Sequence, residues 1–464
     1  MKRIVLTIIL LLPFITVFAQ DKVLTLDEYL AIVKQYHPLA LQARLNEDKA
    51  KLTKRQALGG FDPKLEVDQD RKIFGGKTYY DYVTPEVKVP LWYGIDLKGS
   101  YAKVTGDYVN PENKTPKDGL GYLGISMPLG KGLFLDERRA AIKQANIYAG
   151  VAANEQRQML NDLFMSATGT YSEWLNAYLN SRIYEKAVEL AKVRFEGTRL
   201  LYKNGDKPAI DTLEALTLLQ SRQQKLTEYQ LVLLNRKNEL ASYMWQEGLS
   251  LVDLSKVNVV PDTTLIKVAR PDSLLNKDAA TVAETHPEVR NYNLKLNQLD
   301  VERRLKLEEV KPTLNFNLGV LNTGRNIFQN INSSWIGNNQ KFGFTVAMPL
   351  TFTKQRAAYS LAKLKLQEAR FALLDKQNTL TVKWNNYRND YYNIENQIKF
   401  NSEIQKNNQA LLNGEEFKFR LGESSVFMVN SREQKVLDTQ EKLNDYYTKR
   451  IKTIQYLKWL SNSF

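Results

Sequence analysis

Four short motifs occur twice in this chain at almost constant spacing, and no other feature limits the possible folds as strongly. His37-Pro38 with Pro63 recurs as His286-Pro287 with Pro312, at an offset of 249 residues. Met127-Pro128-Leu129 recurs as Met348-Pro349-Leu350 at 221. Arg139-Ala140-Ala141 recurs as Arg356-Ala357-Ala358 at 217, and Tyr202-Lys203-Asn204-Gly205 recurs as Phe419-Arg420-Leu421-Gly422 at the same 217. The 464 residues therefore read as two tandem copies of one unit, 20–250 and 274–464, joined by a linker over 251–273. The falling offset puts 28 additional residues between the two marker prolines of the first copy.

Each copy passes through the same series of patterns. A helix is expected from Leu26 to Leu58 and from Leu274 to Glu309, broken near its start by the His-Pro pair, because a residue before proline avoids the helical region. Alternation follows. Leu314, Phe316, Leu318 and Val320 alternate with polar or small residues, as do Phe342, Phe344, Val346 and Met348, so two strands are expected within 313–348. In the first copy the counterparts are 64–71 and 120–127, and the additional residues supply a further hairpin, 83–89 and 95–105, expected to stay with the other strands. A strand of about nine to eleven residues with one apolar and one polar face is what a membrane β-barrel uses. The Asn-, Gly- and Ser-rich stretch 322–341 reads as an exposed loop.

Helical periodicity then takes over for an unusual distance. From Leu350 to the C-terminus there is no proline, and only Gly414 and Gly422 interrupt. Apolar residues recur every three or four positions at Leu160, Leu163, Ala167, Tyr171, Trp174 and Tyr178, and again at Leu380, Trp384, Tyr387, Tyr391, Ile394 and Ile398. Such stripes are seams for neighbouring helices. Helical hairpins are expected over 137–247 and 355–461, turning at Gly205 and Gly422, with first helices roughly 100 Å long at 1.5 Å per residue.

Composition narrows the function. The absence of cysteine excludes disulfides, thiol nucleophiles, iron–sulfur clusters and the lipidated cysteine of a bacterial lipoprotein. With only two histidines, each at a helix break, no metal cluster and no nucleophile–His–acid set can be assembled, and no nucleotide loop is present. Neither an enzyme nor a cofactor is expected. The net charge of +14 is spread through mixed segments instead of a basic patch, so nucleic acid is not an expected partner. Lys2-Arg3, the apolar run from Ile4 to Phe18 and Ala19 form the pattern of a secretory signal peptide over 1–19. No later stretch reaches 18 apolar residues, so an exported chain of this kind enters a membrane only as closed β-structure. Four or six strands do not close a wide barrel alone, and unpaired edges are not tolerated in lipid, so strands must be shared between copies.

This constellation resembles the TolC-like outer membrane efflux protein family over essentially the whole chain after the signal peptide. Leu24-Thr25-Leu26-Asp27-Glu28-Tyr29-Leu30 followed by His37-Pro38 is similar to that family's opening, and Gly205 followed by Asp211, Leu213 and Ala215 is similar to its periplasmic-tip motif. The resemblance implies an α+β membrane protein, a homotrimer whose transmembrane β-barrel continues into a long periplasmic α-helical barrel, built from the two tandem repeats. It implies a place in the outer membrane of a Gram-negative bacterium, with a large periplasmic portion and outer membrane lipid around the barrel. The implied function is the exit duct of a tripartite efflux pump or a type I secretion system, exporting small molecules or protein passively. The implied partners are a periplasmic adaptor and an inner-membrane transporter. The chain departs from the family at the second tip, where Met428 and Ser431 stand in place of acidic residues. A non-conducting helical periplasmic or cell-surface scaffold is the alternative.

The candidate site residues follow. Tyr202, Lys203, Gly205, Asp211, Phe419, Arg420 and Gly422 are assigned to the periplasmic tip or gate, and Leu314, Phe316, Leu318, Phe342, Phe344 and Val346 to the barrel strands. Asp211 either pairs with Lys203 or Arg420 across neighbouring hairpins or favours the positive start of its helix. Trp92, Tyr93, Tyr122, Trp335 and Phe342 flank strands and fit interfacial belts.

Overall fold

The structure is a computed structural model and describes residues 22–254, 259–267, 270–326, 329 and 335–463. The signal peptide expected at 1–19, the side chain of Trp335 and parts of the 251–273 linker and 322–341 loop lie outside the described residues.

A short strand β1 (Lys22–Leu24) leads into helices α1 (Leu26–Tyr36) and α2 (Pro38–Leu58). Strands β2 (Lys64–Phe74), β3 (Lys77–Pro90), β4 (Asp96–Thr105) and β5 (Leu120–Pro128) follow, then the 67-residue helix α3 (Glu137–Lys203) and the return helix α4 (Ala209–Ala241). Short strands β6 (Trp245–Gln246), β7 (Ser250–Leu251) and β8 (Val259–Pro261) lead to α5 (Asp272–Leu275), α6 (Ala279–Thr285) and α7 (Pro287–Glu309). Strand β9 (Thr313–Thr323), the short helix α8 (Trp335–Asn338) and β10 (Gln340–Ala347) precede the 68-residue helix α9 (Thr353–Arg420) and its return helix α10 (Val426–Leu460). Among the described residues no helix is long and apolar enough to cross a membrane.

Local chemistry accounts for the boundaries. Thr25 and Glu28 form a reciprocal capping box at the start of α1. At the break between α1 and α2, the Nδ1 of His37 accepts the amide N–H of Leu39 at 3.2 Å, and at the break between α6 and α7 the Nδ1 of His286 accepts that of Glu288 at 3.2 Å. Both histidines are thus N-caps next to a proline that has no N–H to satisfy. Burial lowers the pKa of His37, and burial with the nearby cations Lys376 and Lys383 pushes His286 down to about 4. An acceptor nitrogen requires the neutral ring, and both environments favour it.

The chain divides into two compact units. The first comprises the described residues within Met1–Leu41, Leu160–Lys277 and Trp384–Phe464, and the second Gln42–Met159 with Asp278–Lys383. In the first unit the expected seams are the core: Leu163, Ala167, Tyr171 and Trp174 are buried against Tyr29, Val33, Leu240 and Met244. Leu380 lies just outside this unit's boundary, while Trp384, Tyr391, Ile394 and Ile398 of the same seam are buried within it. In the second unit the helices approach through small residues at seven-residue spacing, Ala43 with Ala50, Ala145 with Ala152, and Ala362 with Ala369, all buried. Asn154 donates to the Pro287 carbonyl at 2.5 Å and to the Asn291 side chain at 2.8 Å, tying α3 to α7.

The second unit also carries a six-stranded antiparallel sheet in the order β10-β9-β5-β4-β3-β2. All four strands expected from the repeated motifs are present, and the additional hairpin is β3-β4, standing inside the sheet between β2 and β5. Its first strand is longer than expected and begins at Lys77, because Gly75 and Gly76, both at positive φ, turn the chain directly out of β2.

Candidate functional site

Residues directly opposed in an antiparallel sheet share a face, so the register sorts every side chain of the six strands. One row runs Leu65, Val87, Gly99, Leu123, Val320 and Gln340, and the next runs Val89, Leu97, Ile125, Leu318 and Phe342. Met127, Phe316 and Phe344 form a third, with Leu314 opposite Val346 beyond it. Across these rows the face is apolar apart from Gln340 at the β10 edge, while toward the loops it also carries Gln69, Lys103 and Asn322. Phe342 is 72% exposed, and Phe344, Val346 and Leu318 are also exposed.

The reverse face is polar. Glu66, Glu86, Ser100 and Tyr122 form one row across β2 to β5, and Lys88, Lys98, Gly124, Gly319 and Lys341 form another. Tyr122 lies flat on this face, since a Cβ at Gly124 would fall 2.2 Å from its hydroxyl and one at Gly319 2.3 Å from its ring. It therefore lies on the polar face beside Ser100 and Glu86, away from the apolar face that an interfacial belt would use. Among the described residues β2 and β10 each pair on one side only, and five successive antiparallel steps leave these two edges running in opposite directions.

The near end of the sheet, where β5 gives way to α3, is tightly tied. Leu129 donates to the Leu314 carbonyl at 2.6 Å and Lys131 to that of Pro312 at 2.9 Å. A side chain at Gly130 would fall 2.2 Å from the Pro312 oxygen, so only glycine permits this approach. Asp136 accepts the Arg139 amide at 2.8 Å, and Arg138 reaches Asp96 of β4 at 2.8 Å, which also pairs with Lys88 at 3.0 Å. Trp92 and Tyr93, in the turn between β3 and β4 at this same end, are 50% and 65% exposed, with Trp92 stacked on Phe61 at 5.3 Å.

The two helical turns belong to the first unit and share one geometry. Gly205 has φ +84° and donates to the Tyr202 carbonyl at 3.0 Å, while Asp206 donates to Leu201 at 2.9 Å. Gly422 has φ +81° and donates to Phe419 at 3.1 Å, while Glu423 donates to Lys418 at 2.9 Å. Both are left-handed glycine C-caps of the Schellman type. They differ at the next helix start: Ser425 caps α10 by accepting from Met428 at 3.3 Å, whereas α4 begins after Pro208 without a side-chain cap and carries Asp211 in its first turn. Burial and the adjacent Asp211 raise the pKa of Glu214.

The structure brings the turns together through Lys207, whose Nζ lies 5.2 Å from the centroid of the Phe419 ring. Phe419 packs on Leu412, Val429 and Val436 of its own hairpin, whereas Tyr202 stays exposed. Within one chain Asp211 forms no ion pair with Lys203 or Arg420 among the described residues. Sequence reasoning missed a polar network behind the turns. Arg194 pairs with the buried Glu433 at 2.5 Å and with Glu416 at 3.5 Å, Arg222 donates to Gln434 at 2.5 Å, and Tyr184 donates to Glu441. Its only signal was charge at seam positions.

A sheet with one apolar and one polar face, in a chain with two long helical hairpins, resembles in fold the outer membrane channels of known structure. Among known proteins the chain is similar to TolC-like outer membrane channels. It is 26% identical over 258 residues to the outer membrane protein TolC of Escherichia coli (strain K12), a match covering 53% of this chain and 48% of the relative, so the chain matches about half the length of that protein. It superposes on CusC with a TM-score of 0.65 at 13% identity, covering 94% of this chain and 91% of CusC. On the Campylobacter jejuni outer membrane channel CmeC the TM-score is 0.63 at 13% identity, covering 95% and 86%. No family model matches the chain.

Proposed function

We propose that three copies of this chain form the outer membrane exit duct of a tripartite export system. The observation that carries this reading is the two-faced sheet with unpaired edges: its apolar face suits lipid, its polar face suits a water-filled lumen, and its edges require partners. Because β2 and β10 run in opposite directions, β10 of one copy pairs antiparallel with β2 of the next, a heterologous contact that closes only as a ring. The six strands of each copy then form one barrel. The helical hairpins form the periplasmic part, exposed apolar residues such as Leu361, Leu364, Phe371, Phe400 and Ile404 facing the neighbouring copy.

In this reading the tandem repeats supply equivalent walls, the signal peptide directs export, and the protein is a passive conduit without catalysis of its own. The glycine turns dock a periplasmic adaptor, which connects the duct to an inner-membrane transporter. The structural neighbours CusC and CmeC are channels, which supports a conduit serving either an efflux pump or a type I secretion system.

Membrane fractionation, native mass of the detergent-extracted protein and conductance in planar bilayers test the proposal. A trimer extracted from the outer membrane that conducts once its turns are loosened is the expected result. A soluble monomer would overturn it, and a membrane trimer that never conducts would identify the scaffold reading instead.

A further inference from the structure

We infer that the apolar face carries a binding site for the phosphate-bearing headgroup of a membrane lipid, at the loop end of the sheet. This rests on the membrane reading above. Tyr101 and Lys103 of β4 and Val83 and Pro85 of β3 share that face, Val83 standing opposite Lys103. With Arg325, two residues beyond β9, they line an open depression of about 460 Å³.

The depression is organised around the Tyr101 ring. Its hydroxyl donates to the Asp118 carbonyl at 2.7 Å, and a Cβ at Gly119 would fall 2.3 Å from that hydroxyl, so the ring occupies space that any side chain there would need. The guanidinium of Arg325 lies over the same ring, 5.7 Å from its centroid. Neither Lys103 nor Arg325 forms an ion pair among the described residues. Two cations without a carboxylate, at the upper border of an apolar face, are expensive in hydrocarbon unless they reach an anion in the headgroup layer. A planar guanidinium held on an aromatic ring offers a fork of N–H donors matched to phosphate, with the lysine as a second point charge.

The same face provides for the rest of the ligand. Gly99 and Gly121 carry no side chains below and beside Tyr101, and they open toward a second depression of about 350 Å³ lined by Leu97, Leu123, Ile125, Leu318 and Val320. A headgroup phosphate at Lys103 and Arg325 therefore places an acyl chain along an apolar track in register with it. The ligand class is an acyl lipid of the loop-side leaflet whose headgroup is an anionic phosphomonoester, not a zwitterionic phosphodiester.

The test uses full-length protein extracted from the outer membrane, so that failure of the membrane reading is recognised before lipid is added. Native mass spectrometry with dimyristoyl phosphatidic acid, with dimyristoyl phosphatidylcholine and with inorganic phosphate should show retention of the phosphatidic acid alone. Lys103→Gln with Arg325→Gln should weaken that retention about tenfold at unchanged trimer yield, Lys103→Arg with Arg325 intact should preserve it, and Lys114→Gln with Lys117→Gln should leave it unchanged. Equal retention of the two lipids, or of phosphatidic acid by the Lys103/Arg325 double variant, would reduce the depression to ordinary lipid contact and overturn the proposal. Competition by inorganic phosphate at similar concentration would also overturn it, as a free-anion site.

Discussion

The hydroxyl of Tyr171 donates to the backbone carbonyl of Leu24 at 2.6 Å. It also accepts the amide of Asp262 at 3.0 Å, so one buried side chain fastens the C-terminal ends of both strands of the parallel pair β1 and β8 to helix α3. Burial pushes its pKa up to about 12, so the hydroxyl remains a donor throughout the physiological range. Tyr171→Phe removes both bonds while keeping the ring, and should cost about 1–3 kcal/mol. The expected readouts are a lower thermal midpoint and faster proteolysis near residues 22–24; a midpoint equal to wild type would mean that water replaces the hydroxyl without loss.

Arg194 and Glu433 set a larger stake. The Glu433 side chain is only 4% exposed and the Arg194 side chain 12% exposed, so removing Arg194 strands the Glu433 charge in the helix packing, and removing Glu433 leaves Arg194 only the more exposed Glu416 as a counter-charge. Arg194→Ala or Glu433→Ala should destabilise by about 3–5 kcal/mol, whereas Arg194→Met with Glu433→Leu should recover most of that loss. Urea unfolding of the three variants decides the matter, and a double variant no better than the singles would show that packing, not unpaired charge, dominates.

His286 gives the fold a pH dependence of definite sign. Its folded pKa of about 4 lies below the ordinary value of 6.5, so between these values the unfolded chain binds a proton that the folded chain does not. Its contribution is full above about pH 6.5, falls as the pH drops toward 4 and is constant below that, amounting to at most about 3 kcal/mol. His286→Asn keeps a capping acceptor and removes the titration, so the slope of stability against pH over this window should flatten. A slope unchanged in His286→Asn would assign it to the carboxylates.

At the turns, Asp211→Ala with Arg420→Ala should raise single-channel conductance without changing trimer yield. Each exposed pair is worth at most about 1 kcal/mol, so closure needs several around the ring. Phe419→Ala, which removes the ring under Lys207, should act in the same direction. Conductance at the wild-type level in all of these variants would assign the residues to helix capping and solubility.

Adjacent residues of β10 separate the faces of the sheet. Phe344→Lys places a charge on the lipid side at a cost of about 2–4 kcal/mol per copy near the bilayer centre, whereas Thr345→Lys on the polar side should be tolerated. Loss of outer membrane trimer in the first and retention in the second is the expected pattern, and the reverse would invert the assignment of the faces.

Much of this architecture was legible in the sequence because its periods are pure. Phe342, Phe344 and Val346 alternate without exception, the stripe from Leu163 to Trp174 keeps helical spacing, and Gly205 and Gly422 sit where only a left-handed residue ends a helix. What was not legible depends on partners distant in sequence. The contact of β5 with β9 joins residues as far apart as Leu123 and Val320, and it fixes β3-β4 in the middle of the sheet. Tyr122 looked like a belt residue because nothing local reveals that two glycines on different strands clear a bed for its ring. Glu433 carries no local sign of its burial, because the arginine that neutralises it lies 239 positions away. The pairing proposed for Asp211 joins neighbouring copies, and the pattern of one chain does not encode it.

The open edges β2 and β10 also have a genetic consequence. If every seam of the ring joins these two edges, a single altered allele damages each assembly that it enters. A cell making normal and edge-defective chains in equal amounts would build roughly one ring in eight from normal chains alone, by random assortment into threes. Loss-of-edge alleles of this gene should therefore be dominant over the normal copy, whereas alleles that prevent the chain from folding at all should be recessive.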